Sequence, residues 1–200
     1  MTHRPLSRIA AVCAAVLIAL SACSDPGTQG TEPSKDAMPT QQQQFATLLQ
    51  RPDIDQALAR HNEMRGKIRD ALTTELPTPP WNDSGRGDSV GSCARSFPDI
   101  HPHDGQEVHP ASWISAIAPT PEQWAKAKTI ISDIAAPYGF TKVTLSSDKP
   151  GNYQFNLADN DGAELAVGAA KALVLAINTS CHLTAEAHRR GTPRSTEPGR

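Results

Sequence analysis

Residues 120–167, TPEQWAKAKTIISDIAAPYGFTKVTLSSDKPGNYQFNLADNDGAELAV, carry two periodicities, and the change between them sets the fold class. Thr120-Pro121-Glu122-Gln123 has capping-box spacing, with proline at the first helical position, where a missing N–H costs nothing. Trp124, Ala127, Ile131, Ile134, Ala135 and Tyr138 then recur three and four apart and share one side of a helix. Pro137 and Gly139 stop it. Beyond that point the period is two. Phe140 and Lys142 to Leu145 read as a strand and Asp148 to Asn152 as a turn. Tyr153, Phe155 and Leu157 alternate with Gln154, Asn156 and Ala158, the pattern of a half-buried strand. Asn160-Asp161-Gly162 is a second hairpin signal. A third strand is expected at Glu164 to Val167, a turn at Gly168 to Lys171, and a fourth strand from Ala172 to Leu183. A rival reading makes Ala163 to Ile177 one Ala-rich helix. The β-branched, apolar run into Asn178-Thr179-Ser180-Cys181 favours strands.

Upstream, Ile54, Ala57, Leu58, Met64, Ile68 and Leu72 fall on one side of a helix expected over Asp53 to Thr73. Pro52 and Asp53 suit its start, and Asp53 and Asp55 favour the positive end of its dipole. His61 falls near the centre of the apolar side and reads as a hydrogen-bonded histidine in or near the core; Arg65 is expected to lay its stem over apolar surface. Leu76-Pro77-Thr78-Pro79-Pro80-Trp81 ends the helix, because consecutive prolines forbid both helix and central strand. Asn82 to Pro119, rich in Gly, Pro, Ser and Asp, reads as a long irregular connection. The sum is an α+β fold: two amphipathic helices packed on a roughly four-stranded antiparallel sheet, in one domain over residues 45–183.

The two ends differ from this middle. His3, Arg4 and Arg8 precede an apolar run from Ile9 to Leu20, too short to span ~30 Å of hydrocarbon. Leu20-Ser21-Ala22-Cys23 then fits a bacterial lipobox. Residues 1–22 are therefore expected to be a lipoprotein signal peptide, cut between Ala22 and Cys23. Cys23 is expected to carry a diacylglyceryl thioether and an N-acyl chain, since one chain alone binds a membrane only marginally. The implied address is the extracytoplasmic side of the cell membrane. Residues 23–44, with the run Gln41 to Gln44, read as a disordered tether, and residues 184–200, with Pro193 and Pro198, as a disordered tail.

Losing residues 1–22 leaves 17 Lys and Arg against 21 Asp and Glu, a net charge of −4. That balance argues against nucleic acid, which requires a basic face, and against a polybasic grip on anionic lipid. After processing, Cys93 and Cys181 are the cysteines left besides Cys23. In an oxidising compartment such a pair reads as a disulfide; two free thiols or two metal ligands are the competing readings.

The order of these features resembles the LppA-like lipoproteins of mycobacteria. The matching residues are the lipobox at Cys23, the helix ending in Leu76-Pro77 and Pro80-Trp81, and Cys93. They continue with Thr120-Pro121-Glu122-Gln123-Trp124, Tyr138-Gly139-Phe140, and Asn178-Thr179-Ser180-Cys181-His182-Leu183. The resemblance implies a cell-envelope lipoprotein with a disulfide, and it implies no catalytic residue. The stretch from Trp81 to Pro119 does not match any pattern of the family, so nothing transfers through it.

Two constellations invite chemistry. Gly87-Asp88-Ser89-Val90-Gly91 spells G-x-S-x-G, but that motif needs a strand before the serine and a helix after it. His101, His103, Asp104, Glu107 and His109 crowd within nine positions and have donors for Zn, Cu or Ni. Their prolines and Gly105 suggest a mobile loop rather than a rigid metal cage. Arg86-Gly87-Asp88 spells an adhesion tripeptide, too short to argue from. The reading calls for no cofactor. It expects a non-catalytic module that binds an envelope protein or a lipid, with a small-ligand or lipid carrier as the alternative. A metal-dependent or serine hydrolase built on the long loop is a further alternative.

Overall fold

A computed structural model describes residues 38–195. The signal peptide, the Ala22–Cys23 bond and most of the tether lie outside the described residues.

The long helix α2 runs Ile54–Glu75, with the Asp53 carboxylate accepting the N–H of Gln56 as its cap. Helix α3 runs Pro121–Ala135 behind the reciprocal Thr120–Gln123 capping box. It passes through one 3-10 turn into Gly139, whose φ of +93° the missing Cβ permits. Both helices lie on a six-stranded sheet of order β1 (Asn82–Asp83), β4 (Trp113–Ser115), β8 (Leu173–Asn178), β7 (Glu164–Ala169), β6 (Asn152–Ala158) and β5 (Lys142–Lys149). Its right half is an antiparallel meander: β5 (Lys142–Lys149), β6 (Asn152–Ala158), β7 (Glu164–Ala169) and β8 (Leu173–Asn178). These are the four strands that the period-two residues predict. Met64, Ile68, Leu72, Trp124, Ile131, Leu165, Leu173 and Leu175 fill the layer between helices and sheet, each essentially inaccessible. Tyr153 stacks on Trp124 at 5.1 Å between ring centres.

The sheet is larger than the sequence suggests. The connection read as irregular contributes β1 (Asn82–Asp83), β2 (Ser89–Ser92), β3 (Gly105–His109) and β4 (Trp113–Ser115). None exceeds five residues, so none shows enough alternation to stand out from its Gly- and Ser-rich surroundings. β4 pairs with β8, 58 or more residues downstream. The expected fourth strand is also cut in two. After β8 the chain kinks at Ser180, which holds a left-handed φ of 60°, and β9 (His182–Leu183) joins β3 and β2 in a second, three-stranded sheet.

That second sheet surrounds its own small core: Phe45, Leu48, Cys93, Ile100, Cys181, Leu183 and Ala187. Cys93 and Cys181 are joined by a disulfide at its centre. Two boundaries read from the sequence move here. Helix α1, Gln41–Leu49, begins inside the stretch assigned to the tether, capped by Thr40 and Gln43. Its Gln44 is buried, donating to the Asp99 carboxylate at 2.8 Å and accepting the Asp99 N–H at 3.1 Å. Helix α4, Ala185–Arg190, lies inside the stretch assigned to the tail, capped by Thr184. Both helices are polar in composition and are held by partners distant in sequence, which local composition does not reveal.

Candidate functional site

The residues singled out for chemistry do not converge. Ser89 opens strand β2, exposed, as the register partner of His109. The strained strand-to-helix turn that presents a nucleophile is not the conformation found there. Asp88 accepts the N–H of Ala111 at 2.8 Å and so helps to close the loop.

The histidine-rich stretch is divided among three places. His101 and His103 stand 5.2 Å apart between ring centres, with His101 Nδ1 accepting the His103 N–H. Glu107 and His109 form a separate pair on β3, 3.6 Å apart. Asp104 turns away from both and is 0% exposed. Its carboxylate accepts from Arg190 Nη2 at 2.6 Å, Arg194 Nε at 2.9 Å and the Arg194 N–H at 2.8 Å. Burial alone would push this carboxyl up; the Arg194 N–H and the Arg190 guanidinium outweigh burial and hold it below the usual range. Among the described residues, no three His, Cys, Asp or Glu side chains gather as a metal set. Asp104 is therefore a structural clamp on the C-terminal segment.

Two features that the sequence does not advertise replace these candidates. The first is the uncovered face of the six-stranded sheet. The alternation that buries Phe155, Leu157, Leu165, Val167 and Leu175 leaves Gln154, Asn156, Ala166, Gly168, Val174 and Ala176 on the opposite side, half-buried by their neighbours. With Leu145, 42% exposed, they line a shallow trough of about 300 Å³ whose floor is small and apolar.

The second is a cleft of about 250 Å³ where the start of α2 meets the Tyr138–Gly139 corner and the turn Asp159–Asp161. His61 lines it and is 5% exposed, its ring edge-on to Phe140 at 5.3 Å. The sequence leads to the expectation of a hydrogen-bonded histidine here. Instead Nδ1 is buried with no partner, because α2 points the ring at the apolar edge of Phe140. Burial first, then the neighbouring His182 and Arg60, pull its pKa from 6.5 to about 4. Arg65, by contrast, does what its helix position suggests. Its guanidinium lies 4.1 Å over the Trp113 ring and donates to the Ala111 carbonyl at 2.8 Å. Arg69 also lies against the Trp113 ring, at 4.7 Å.

Helices on one face of an antiparallel meander, with a disulfide sealing a second small core, define a small disulfide-bonded α+β domain. The LppA family model, described as a lipoprotein confined to pathogenic Mycobacterium, matches residues 30–185, and the chain belongs to that family. The crystal structure of the lipoprotein LppA from Mycobacterium tuberculosis has the same fold, with a TM-score of 0.63 and 16% identity over 76% of this chain and 91% of that one. A DUF4853 family protein from Actinomyces odontolyticus is more distant, with a TM-score of 0.51 and 14% identity over 74% of this chain and 80% of that one. No curated protein matches the sequence.

Proposed function

We propose that the protein is an envelope lipoprotein, anchored through acyl chains on Cys23 at the extracytoplasmic side of the cell membrane. Its folded part serves there as a non-catalytic binding module that docks a partner protein on the uncovered sheet face. The anchor reading is supported by the lipobox Leu20-Ser21-Ala22-Cys23 and by membership of a lipoprotein family. The docking reading is carried by one observation. The trough of Leu145, Ala166, Gly168, Val174 and Ala176 is a contiguous apolar strip on a surface otherwise rimmed by Gln154, Asn156 and Glu164, the layout of an interface core within a polar rim. The alternative of a carrier with a cavity between helices and sheet is disfavoured, because that layer is filled by side chains at full burial.

The anchor is tested by metabolic labelling with an alkyne fatty acid. Wild type should take up the label and fractionate with membranes, and Cys23→Ala should do neither; a labelled, membrane-bound variant would refute the anchor. The docking face is tested by a photo-crosslinking residue at Ala176 in cells, with one at Lys126 on α3 as the control. A discrete adduct from position 176 that Ala166→Arg abolishes supports the reading. The same adducts from both positions, or an adduct indifferent to Ala166→Arg, overturns it.

A further inference from the structure

We propose that the His61 cleft is a binding site for a small monocarboxylate, held between His61 Nε2 and the Arg60 guanidinium. The inference concerns a part of the molecule separate from the docking face and does not depend on it.

At neutral pH His61 is uncharged and carries a single N–H. Nδ1 is sealed in without a partner. A buried N–H without an acceptor is rarer and costlier than a buried acceptor without a donor, so the proton belongs on Nε2. No group among the described residues pairs with Nε2, and it is not among the sealed polar atoms. The ring therefore offers the cleft a donor.

The other polar groups facing the cleft can be taken in turn. Arg60 gives one Nη2–H to the Pro137 carbonyl at 3.2 Å and lies 5.4 Å over the Tyr138 ring. Among the described residues it has no carboxylate partner within an ion pair's reach. The two acids are already engaged. Asp161 meets Arg51 Nε at 3.3 Å. Asp159 accepts the N–H groups of Asp161 and Ala163 at 2.9 and 2.8 Å. His182 on the far wall has its ring nitrogens 2.9 and 2.8 Å from the carbonyls of Pro52 and Thr179, so whichever nitrogen carries its proton gives it to a carbonyl. His61 Nε2–H and the remaining Arg60 N–H groups are thus uncommitted, while each acid already has one oxygen engaged. The complementary ligand brings oxygen acceptors and one negative charge. A planar carboxylate fits the guanidinium fork and leaves an oxygen for Nε2–H. Asp159 and Asp161 oppose a second negative charge, which disfavours a phosphate dianion. The volume admits a ligand several times the ~30 Å³ share of a liquid water, and no long acyl chain. An anion placed against His61 also favours its charged form, so binding takes up a proton and tightens as pH falls from neutrality.

The test is a titration of the mature full-length chain in detergent, followed through the imidazole ¹⁵N resonances. Acetate is added at fixed ionic strength, with chloride, inorganic phosphate and methylammonium as comparison probes. Acetate should shift His61 saturably and raise its pKa, while His101 and His103 do not saturate. Arg60→Ala, an exposed change that leaves the core intact, should weaken the binding by about tenfold or more, the loss of one charge-assisted contact. Three outcomes each overturn the proposal: a His61 resonance that moves no more than those of His101 and His103, a phosphate or chloride response equal to that of acetate, or an Arg60→Ala affinity equal to wild type.

Discussion

Replacing Asp104 by alanine should release the C-terminal segment and lower the stability of the whole domain. The carboxylate is fully buried and accepts three charge-assisted hydrogen bonds of 2.6, 2.9 and 2.8 Å from Arg190 and Arg194. Each such bond is worth about 1.5–3 kcal/mol. The simple total overstates the loss, because the two arginine side chains are 29% and 40% exposed and regain water once freed. Breaking a buried pair costs about 3–5 kcal/mol, and that rehydration places Asp104→Ala at the lower end, about 3 kcal/mol. For a domain of this size, about 2–4 °C per kcal/mol gives a fall in Tm of about 6–12 °C. Asp104→Asn keeps the shape and can set its amide oxygen toward both guanidinium groups, but its N–H₂ then faces the Arg194 N–H and the negative charge is gone, so it should recover only part of the loss. Calorimetry reads the first effect, and amide exchange over residues 185–191 reads the release of α4. A Tm within about 3 °C of wild type, with α4 amides protected as before, would show that the clamp holds nothing. The pH dependence follows from the same geometry. The folded carboxyl titrates below its unfolded value, so its contribution is complete above the ordinary carboxylate range and disappears as pH falls through the depressed folded value.

Four further outcomes are expected. A Cβ on Gly105 would lie 2.7 Å from Ile100 Cγ2 and 3.0 Å from Cys93 Sγ. The isoleucine can yield but the bridged sulfur cannot, so Gly105→Ala should cost about 1–3 kcal/mol by urea unfolding, with an unchanged m-value. Replacing Cys93 and Cys181 together by alanine opens a bridge between positions 88 apart and should cost about 2–5 kcal/mol, read by the same assay. His61 is neutral in the folded chain down to about pH 4, against 6.5 when exposed. The unfolded state therefore takes up its proton first, and up to about 3 kcal/mol of stability is lost as pH falls through that window; His61→Phe should flatten the loss measured by denaturation at pH 7, 5.5 and 4.5. Ser89→Ala, at an exposed position of β2, should leave stability within about 0.5 kcal/mol, and any larger change, or any lost phenotype, would reopen the nucleophile reading.

The large core was legible because its residues speak locally. The 3.6-residue stripe of α2 and α3, the Thr120–Gln123 box, and the alternation from Tyr153 to Leu157 each sit within one element, and the observed caps and strands coincide with them. The disulfide was legible from the expected compartment and the cysteine count, without geometry. What stayed hidden depends on pairs distant in the chain. β3 has five residues and is held between β2 on one edge and the distant β9 on the other. Asp104 reads from sequence as one carboxylate in a histidine-rich loop because its partners, Arg190 and Arg194, lie in a segment whose composition suggests disorder. His61 was correctly placed on the buried side, but only the three-dimensional neighbourhood of Phe140 and the Asp159–Asp161 turn shows that it lacks a partner and borders a cleft.

The division between local and distant coding also bears on how the two cores bear load. In the large core, α3 and the meander of consecutive strands follow one another through short turns, and α2 joins them across the connection 76–120. The small core closes only when α1, Cys93, β9 and α4 meet, and these come from both ends of the described chain. Gln41 Nε2 reaches the Arg194 carbonyl at 3.3 Å, so the two ends touch directly. Such an assembly pays a large loop-closure entropy for few apolar residues, and a covalent bridge across 88 positions offsets that cost where hydrophobic burial is smallest.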